Sequence, residues 1–225
     1  MSLDNSTSVS RFKFTSIFQK KFRKHVFQLM YEGYAPLLKN DKDYTGIEEE
    51  EVSHDLVGNI EAYFATDNAP KWVEKFSVSL EHPISPNGEI GRKRPKLDIR
   101  IRTGQRPCPN FVFESKRLNQ NTESAEYFGD DGMRAFLVEN KYPVNAINEA
   151  GMLGYVQTKN VSQWIQWLRK HFKKRTDVFS LPDSDMDLET VIKQLPHTYR
   201  SKHKPGHCQG EITIFHVLLV FNGSE

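Results

Sequence analysis

Hydrophobic residues recur every three or four positions through Phe14, Ile17, Phe18, Phe22, Val26, Met30, Tyr34 and Leu37, which predicts a long amphipathic helix over about 12–38. A second helix follows the turn at Thr45 and Gly46, with Val52, Leu56, Ile60, Tyr63 and Phe64 on one face; Asn68 and Pro70 end it. From Trp72 the period shortens to two. Phe76, Val78 and Leu80 alternate with Lys75, Ser77 and Ser79, as in a half-buried strand. A loop rich in Pro and Gly spans His82 to Pro95, and Leu97, Ile99 and Ile101 then alternate with Asp98, Arg100 and Arg102. Phe111 to Arg117 reads as a third strand. Asn121 and Thr122 are caps for a helix running to about Tyr142, closed by Pro143, and Met152 to Gln157 reads as a short buried strand. Asn160 opens an amphipathic helix through Val161, Trp164, Ile165, Leu168 and Phe172. Residues 176–210 yield only one short helix, and Ile212 to Phe221, almost wholly apolar, reads as a strand buried on both faces. An antiparallel meander followed by a crossover helix predicts an α/β fold: a mixed central sheet flanked by helices.

The chain has 225 residues, 37% hydrophobic and 27% charged, enough for one well-buried core. With no internal repeat or low-complexity linker, a single domain over 1–225 is expected: an N-terminal helical extension (1–45), a core (46–158), and a closing helix and strand (159–225). The mean hydropathy of −0.62 and the lack of a long apolar run exclude a transmembrane helix, and the charged N-terminus lacks the apolar centre of a secretory signal. The expected location is the cytoplasm, without a membrane partner. Two cysteines, Cys108 and Cys208, exclude a disulfide scaffold and a four-cysteine zinc module.

A formal charge of +2 hides strong segregation. Residues 11–24 carry Arg11, Lys13, Lys20, Lys21, Arg23 and Lys24 without an acid, and 169–175 carry Arg169, Lys170, Lys173, Lys174 and Arg175. Between 92 and 102, Arg92, Lys93, Arg94, Lys96, Arg100 and Arg102 face only Asp98. Acids gather instead at Asp41, Asp43 and Glu48 to Glu51, and at Asp183 to Glu189. Such separation suits a grip on phosphates around an acidic centre, although solvated helix faces account for any one cluster.

One segment carries chemistry. Asp98 lies on the polar side of its strand, and Glu114 and Lys116, two apart, share a face of the next. A turn centred near Arg106 makes paired residue numbers sum to 212, which sets Asp98 opposite Glu114, about 4.5–5.5 Å apart at Cβ. Two adjacent carboxylates repel unless a cation holds both ionised, and a hard divalent ion such as Mg²⁺ favours that donor set. The bland alternative is a cross-strand salt bridge between Asp98 and Lys116.

Asp98, the fifteen residues 99–113, and then Glu114-Ser115-Lys116 on an apolar strand resemble the PD-(D/E)XK nuclease superfamily, the restriction-endonuclease-like fold. The resemblance covers residues 46–158 and implies a three-layer core of helix, three-strand meander, helix and strand. It further implies that Asp98 and Glu114 bind Mg²⁺ (Mn²⁺ as substitute), that Ser115 lends its carbonyl, and that Lys116 assists the attacking water. Many members add an acid from the preceding helix. Glu49, three before Val52 and seven before Leu56, shares their inward face and is the choice here, ahead of Glu50 and Glu48. The chain departs from the pattern in one place: the proline that usually stands just before the first acid is Pro95, three residues upstream.

The implied function is Mg²⁺-dependent endonucleolytic hydrolysis of phosphodiester bonds, of restriction, defence or repair type, with DNA as the first expected substrate and RNA or a structured junction as a variant. A nucleic-acid-binding module of the same fold without catalysis is the alternative. Lys93, Arg94, Arg100, Arg102, Lys173, Lys174 and Lys202 are the candidate phosphate contacts, and a homodimer is an expected arrangement for cutting both strands. Other signals are weaker. Asp183-Ser184-Asp185 lacks the glycine and final glutamate of a calcium loop, and these acids suit a helix N-terminus. His197, His203, His207 and Cys208 fit no common zinc spacing, and Arg200 to Lys204 reads as a loop. Gly151 and Gly154 suggest close packing.

Overall fold

In a computed structural model of the chain, the described residues are 6–83, 96–104, 109–119, 126–137, 148–174, 186–205 and 211–223. Two helices come first, α1 (Ser6–Leu37) and α2 (Glu49–Phe64), then a 3₁₀ turn (Val73–Lys75) and the strands β1 (Phe76–Pro83), β2 (Lys96–Thr103) and β3 (Asn110–Leu118). They are followed by α3 (Met133–Leu137), β4 (Glu149–Val156), α4 (Val161–Lys174), β5 (Asp187–Leu188), β6 (Thr198–His203) and β7 (Ile212–Val220). The strands form one seven-stranded mixed sheet in the order β1-β2-β3-β4-β7-β6-β5. β1 to β3 are antiparallel, β3, β4 and β7 run parallel, and β6 and β5 return antiparallel.

Period-two alternation along the central strands feeds two apolar layers. Phe111, Phe113, Leu153, Tyr155, Phe215 and Val217 pack with Phe27, Met30, Leu56 and Ile60 of α1 and α2. Val112, Leu118, Met152, Val156, Ile214 and Leu218 pack with Trp164, Ile165 and Leu168 of α4 and Phe136 of α3. The N-terminal helix is therefore no appendage. Phe27 meets the rings of Phe111 and Phe113, on the strand that carries the candidate chemistry, at 5.9 and 6.3 Å, and that of Phe215 on β7 at 5.4 Å. Among the described side chains of the predicted stripe, Ile17 alone is exposed, at 66%. Close packing explains the two β4 glycines, since a Cβ at Gly151 would lie 2.1 Å from the Phe113 ring and one at Gly154 would lie 2.6 Å from both Leu118 and Leu218.

Three readings need correction. The chain from Trp72 begins with the 3₁₀ turn, and the strand starts only at Phe76. The helix expected over 122–142 is interrupted: among the described residues Glu126 and Tyr127 are helical, turns at Gly129 and Gly132 follow, and the short α3 comes after them; a Cβ at Gly132 would lie 2.3 Å from the Glu126 carbonyl oxygen. Residues 120–125 and 138–147 lie outside the described residues. Residues 175–185, with the acids Asp183 and Asp185, and 206–210 lie outside the described residues; in the stretch 186–205 the structure has β5 and β6, and Arg200 to His203 belongs to β6 rather than to a loop. Its buried positions are held by Thr198, Ser201 and His203, so the strand has no apolar alternation. No helix among the described residues is long and apolar enough to cross a membrane.

Candidate active site

Ile99 pairs with Phe113, Arg100 with Val112, Ile101 with Phe111 and Arg102 with Asn110, the register in which numbers sum to 212. At the next step the side chain takes over from the ladder: Asp98 Oδ2 accepts the Ser115 N–H at 2.7 Å. Backbone donors two apart on a strand face the same edge, so the Arg117 N–H is next, and Glu49 Oε2 accepts it at 3.0 Å. Carboxylates from two different elements thus cap the edge of β3 where the β2 ladder ends.

Between them sits a buried ammonium. Lys116 Nζ donates to Glu49 Oε1 at 2.9 Å and to Glu114 Oε1 at 3.1 Å, with Lys116 only 8% and Glu114 only 3% exposed. Burial opposes the charge on Lys116, but Glu114, Glu49 and Asp98 outweigh it and hold the ammonium firmly protonated. Burial likewise pushes Glu49 up to about 6; Lys116 opposes that rise and the charge of Asp98 adds to it. Three carboxylates, Glu114, Glu49 and Asp98, thus act on the one ammonium of Lys116.

The first turn of α2 carries Glu49, Glu50 and Glu51, where acids are favoured by the exposed N–H groups and the helix dipole. Burial of Val52, Leu56 and Ile60 fixes the rotation of the helix, and Glu49 shares their face. Its neighbours go elsewhere: Glu48 pairs with Arg117 at 2.9 Å, Glu51 with Lys42 at 2.8 Å, and Glu50 lines the cleft. One turn beyond Glu49, the Ser53 hydroxyl lies 2.7 Å from Tyr155 OH and 3.3 Å from Ser115 Oγ, and Tyr155 OH donates to Ser115 Oγ at 3.1 Å. These three hydroxyls pin α2 to β3 and β4 directly behind the charged cluster. Sequence reasoning missed them. Ser53 could have been found from its spacing of four from Glu49, whereas nothing in the sequence distinguished Tyr155 from an ordinary core aromatic.

A cleft of about 680 Å³ opens over this edge, lined by Glu49, Glu50, Asp98, Ser53, His54 and Leu80 among others. In donor type the cluster fits a hard divalent ion, which prefers carboxylate and carbonyl oxygens. In arrangement it is not a finished cation site: among the described residues no three His, Cys, Asp or Glu side chains are placed to hold a metal together. Lys116 neutralises Glu49 and Glu114 instead.

The remaining candidates lie apart. Lys93 and Arg94 lie outside the described residues, as do His207, Cys208 and the side chain of Lys174. Arg100 and Arg102 alternate with the buried Ile99 and Ile101, on the side of β2 that carries Asp98, and Arg102 Nε donates to Ser77 Oγ at 3.1 Å. Lys173 is exposed near the end of α4, on the layer opposite α2. Lys202 pairs with Glu211 at 2.8 Å in β6, three strands from β3, so it does not join the cluster. His203 is buried and bonded to Ser201 Oγ at 2.8 Å, which occupies it within the core.

No family model, no curated protein and no solved structure matches the chain.

Proposed function

We propose that this protein is a metal-dependent nuclease of restriction-endonuclease-like architecture that hydrolyses phosphodiester bonds, in DNA first of all. The observation that carries the reading is the cluster of Glu49, Asp98 and Glu114 around Lys116, set where the β2 ladder ends, with Glu49 and Asp98 lining a cleft. The order of helix, three-strand meander, crossover and parallel strand supports it. Asp98, Glu114, the Ser115 carbonyl and Glu49 are the residues that would hold Mg²⁺ or Mn²⁺. When bound, the ion supplies charge neutralisation and Lewis-acid polarisation of the scissile phosphate.

The chain's own residues define the rest of the chemistry. Asp98 and Glu49 are each anchored through one oxygen by a β3 backbone N–H, so their carboxylates are fixed before a substrate arrives. The Ser115 hydroxyl is turned into the core toward Ser53 and Tyr155, which leaves only its backbone for the substrate side. Lys116, held protonated, is a donor and not a base: it orients the attacking water or a phosphate oxygen and offsets charge that grows on the phosphate. Arg100 and Arg102, with Lys93 and Arg94, steer the strand. Cutting both strands of a duplex calls for a second copy of the chain.

Cleavage of DNA in Mg²⁺ or Mn²⁺ tests the proposal. Asp98→Ala and Lys116→Ala should each abolish it while leaving a cooperative thermal transition, and cleavage retained in Asp98→Ala overturns the assignment. The absence of a ready three-donor group favours a second reading, a binding module of this fold without catalysis. Calorimetric titration with Mg²⁺ separates the two, since binding lost in Asp98→Ala with Glu114→Ala fits the nuclease, and strand binding indifferent to Mg²⁺ without turnover fits the module.

A further inference from the structure

A second, smaller cleft opens on the layer that holds α1 and α2. Four half-buried rings line it, Phe18 and His25 of α1, Trp72, and Phe76 of β1, and Phe22 closes its floor. The rings are ordered. His25 and Trp72 stack at 4.1 Å with planes 6° apart, and Phe76 meets both edge-on at 5.7 and 5.5 Å. Phe22 in turn lies parallel to Phe76 at 5.8 Å and to Phe18 at 6.5 Å. Side chains of this size usually bury their faces, so four half-exposed rings side by side mark a surface kept for a ligand.

Its rim is cationic. Lys21 and Lys75 line the cleft, and Lys20 and Lys24 are exposed on the same helix. Among the described residues none of the four makes an ion pair with a carboxylate, although Glu74 stands on the adjoining turn. The volume, about 170 Å³, is well under the roughly 300–1,000 Å³ of pockets that enclose drug-sized ligands, so it admits one small ring system. A flat apolar slot rimmed by free ammonium groups complements a planar ring tethered to phosphates, and aromatic stacking with basic tracking of the backbone is how unpaired strands are held. The slot also lies in line with the acidic cleft: Phe76 lines one and Leu80, four residues along β1 and about 13 Å away, lines the other.

We propose that this cleft takes an unpaired nucleobase of the substrate strand, stacked on the parallel Trp72–His25 pair with Phe76 against its edge, and with the flanking phosphates on Lys21, Lys24 and Lys75. The inference rests on the reading of the protein as acting on nucleic acid, and it adds a subsite that prefers single-stranded or frayed substrate.

Fluorescence anisotropy in EDTA tests it without turnover, with a 12-nucleotide oligothymidylate, an abasic phosphodiester of the same length and the corresponding duplex as probes. The oligothymidylate should bind about tenfold or more tighter than the abasic strand, the scale of one base–aromatic stack. Trp72→Leu should lose that advantage while binding the abasic strand as before, Trp72→Phe should restore most of it, and Lys21→Glu with Lys75→Glu should weaken both strands. If Trp72→Leu does not fold, Trp72→Phe and the lysine pair still decide. Equal affinity of the wild type for thymidylate and abasic strands overturns the slot. So does unchanged thymidylate binding by Trp72→Leu, or no strand binding at all, which would leave the cleft to a protein partner. Mg²⁺-dependent cleavage of the same strands keeps the two ideas apart: base-dependent binding without cleavage sinks the nuclease and leaves the slot standing, and cleavage with base-independent binding sinks the slot alone.

Discussion

Two buried carboxylate clusters lie in the same sheet, and they are built differently. At the start of β4, Glu149 is 9% exposed and accepts from Arg23 Nη1 at 2.7 Å, while the guanidinium lies 5.0 Å over the Phe215 ring. One acid meets one base, and the pair ties α1 to the sheet. At β3, three acids share one ammonium beside a cleft. A one-to-one pair is an ordinary solution to burying charge, worth little net stability but costly to break. Carboxylates set side by side are different, because the charge of Asp98 raises the cost of ionising Glu49, and a divalent cation would lower it. The contrast separates a tie from a site.

The largest effects should fall on one cluster only. Asp98→Asn and Lys116→Met are expected to lower cleavage by at least about 10³-fold, whereas Glu149→Gln should leave it within about twofold. Steady-state rates on one substrate check this, and comparable losses at both clusters would break the comparison. Stability offers a second test. Lys116→Met and Arg23→Met each leave buried carboxylate behind, at a cost of about 3–5 kcal/mol. Millimolar Mg²⁺ should raise the Tm of Lys116→Met more than that of the wild type, by standing in for the missing charge, and should do nothing for Arg23→Met. Equal responses in thermal melts would remove the cation-binding reading of the β3 cluster.

Much of the β3 site was legible because its geometry follows from period alone. The alternation of Ile99 and Ile101 with Asp98 and Arg100 fixed the strand, the pairing sum of 212 matched the register, and helical spacing from Val52 and Leu56 singled out Glu49. What the sequence hid was the departure from regularity. A sum of residue numbers sets Asp98 beside Glu114 and cannot foresee that its carboxylate accepts the Ser115 N–H, or that Glu49 accepts the next donor along the same edge. The Arg23–Glu149 pair was hidden more deeply, since its partners are far apart in the chain and neither has a neighbour that marks it. β6 was lost for another reason. Its buried positions, Thr198, Ser201 and His203, are polar and satisfied internally, with Ser201 Oγ 2.8 Å from both His203 and His216, so hydrophobic alternation could not reveal it.

A smaller effect sharpens the comparison through pH. Burial pushes Glu149 up to about 7 against the pull of Arg23, and its buried Oε2 has no hydrogen-bond partner among the described residues. An acid with a raised native pKa binds its proton more tightly folded than unfolded. Stability therefore falls as pH rises from about 4.5 to about 7, and stays lower above that window. Glu149→Gln removes this dependence. Its stability relative to the wild type should improve between pH 5 and pH 8 by up to about 3 kcal/mol, from roughly 1.4 kcal/mol per pKa unit, as read from urea midpoints at the two pH values. A constant difference across that range would mean that Arg23 neutralises Glu149 fully, and the cluster would then carry no strain at all.

The least perturbing change tests whether the β3 cluster is held in place from behind. Tyr155→Phe keeps the ring in the core and deletes the hydroxyl that bonds Ser53 and Ser115, leaving those serines 3.3 Å apart. The lost bonds should cost about 1 kcal/mol in denaturant unfolding. If the hydroxyls served packing alone, that cost would be the whole effect. Glu49, however, rides on α2 one turn from Ser53, and its two contacts to β3, at 2.9 and 3.0 Å, tolerate little displacement of the helix. Cleavage by Tyr155→Phe should accordingly fall about tenfold in kcat, because a small misplacement of a fixed carboxylate is felt in the transition state more than in binding. KM should stay near the wild-type value, and the pH dependence of stability set by Glu149 should not move. A loss of stability with kcat unchanged would make the hydroxyl group a tie like Arg23 and Glu149, and would confine the site to the residues at the edge of β3.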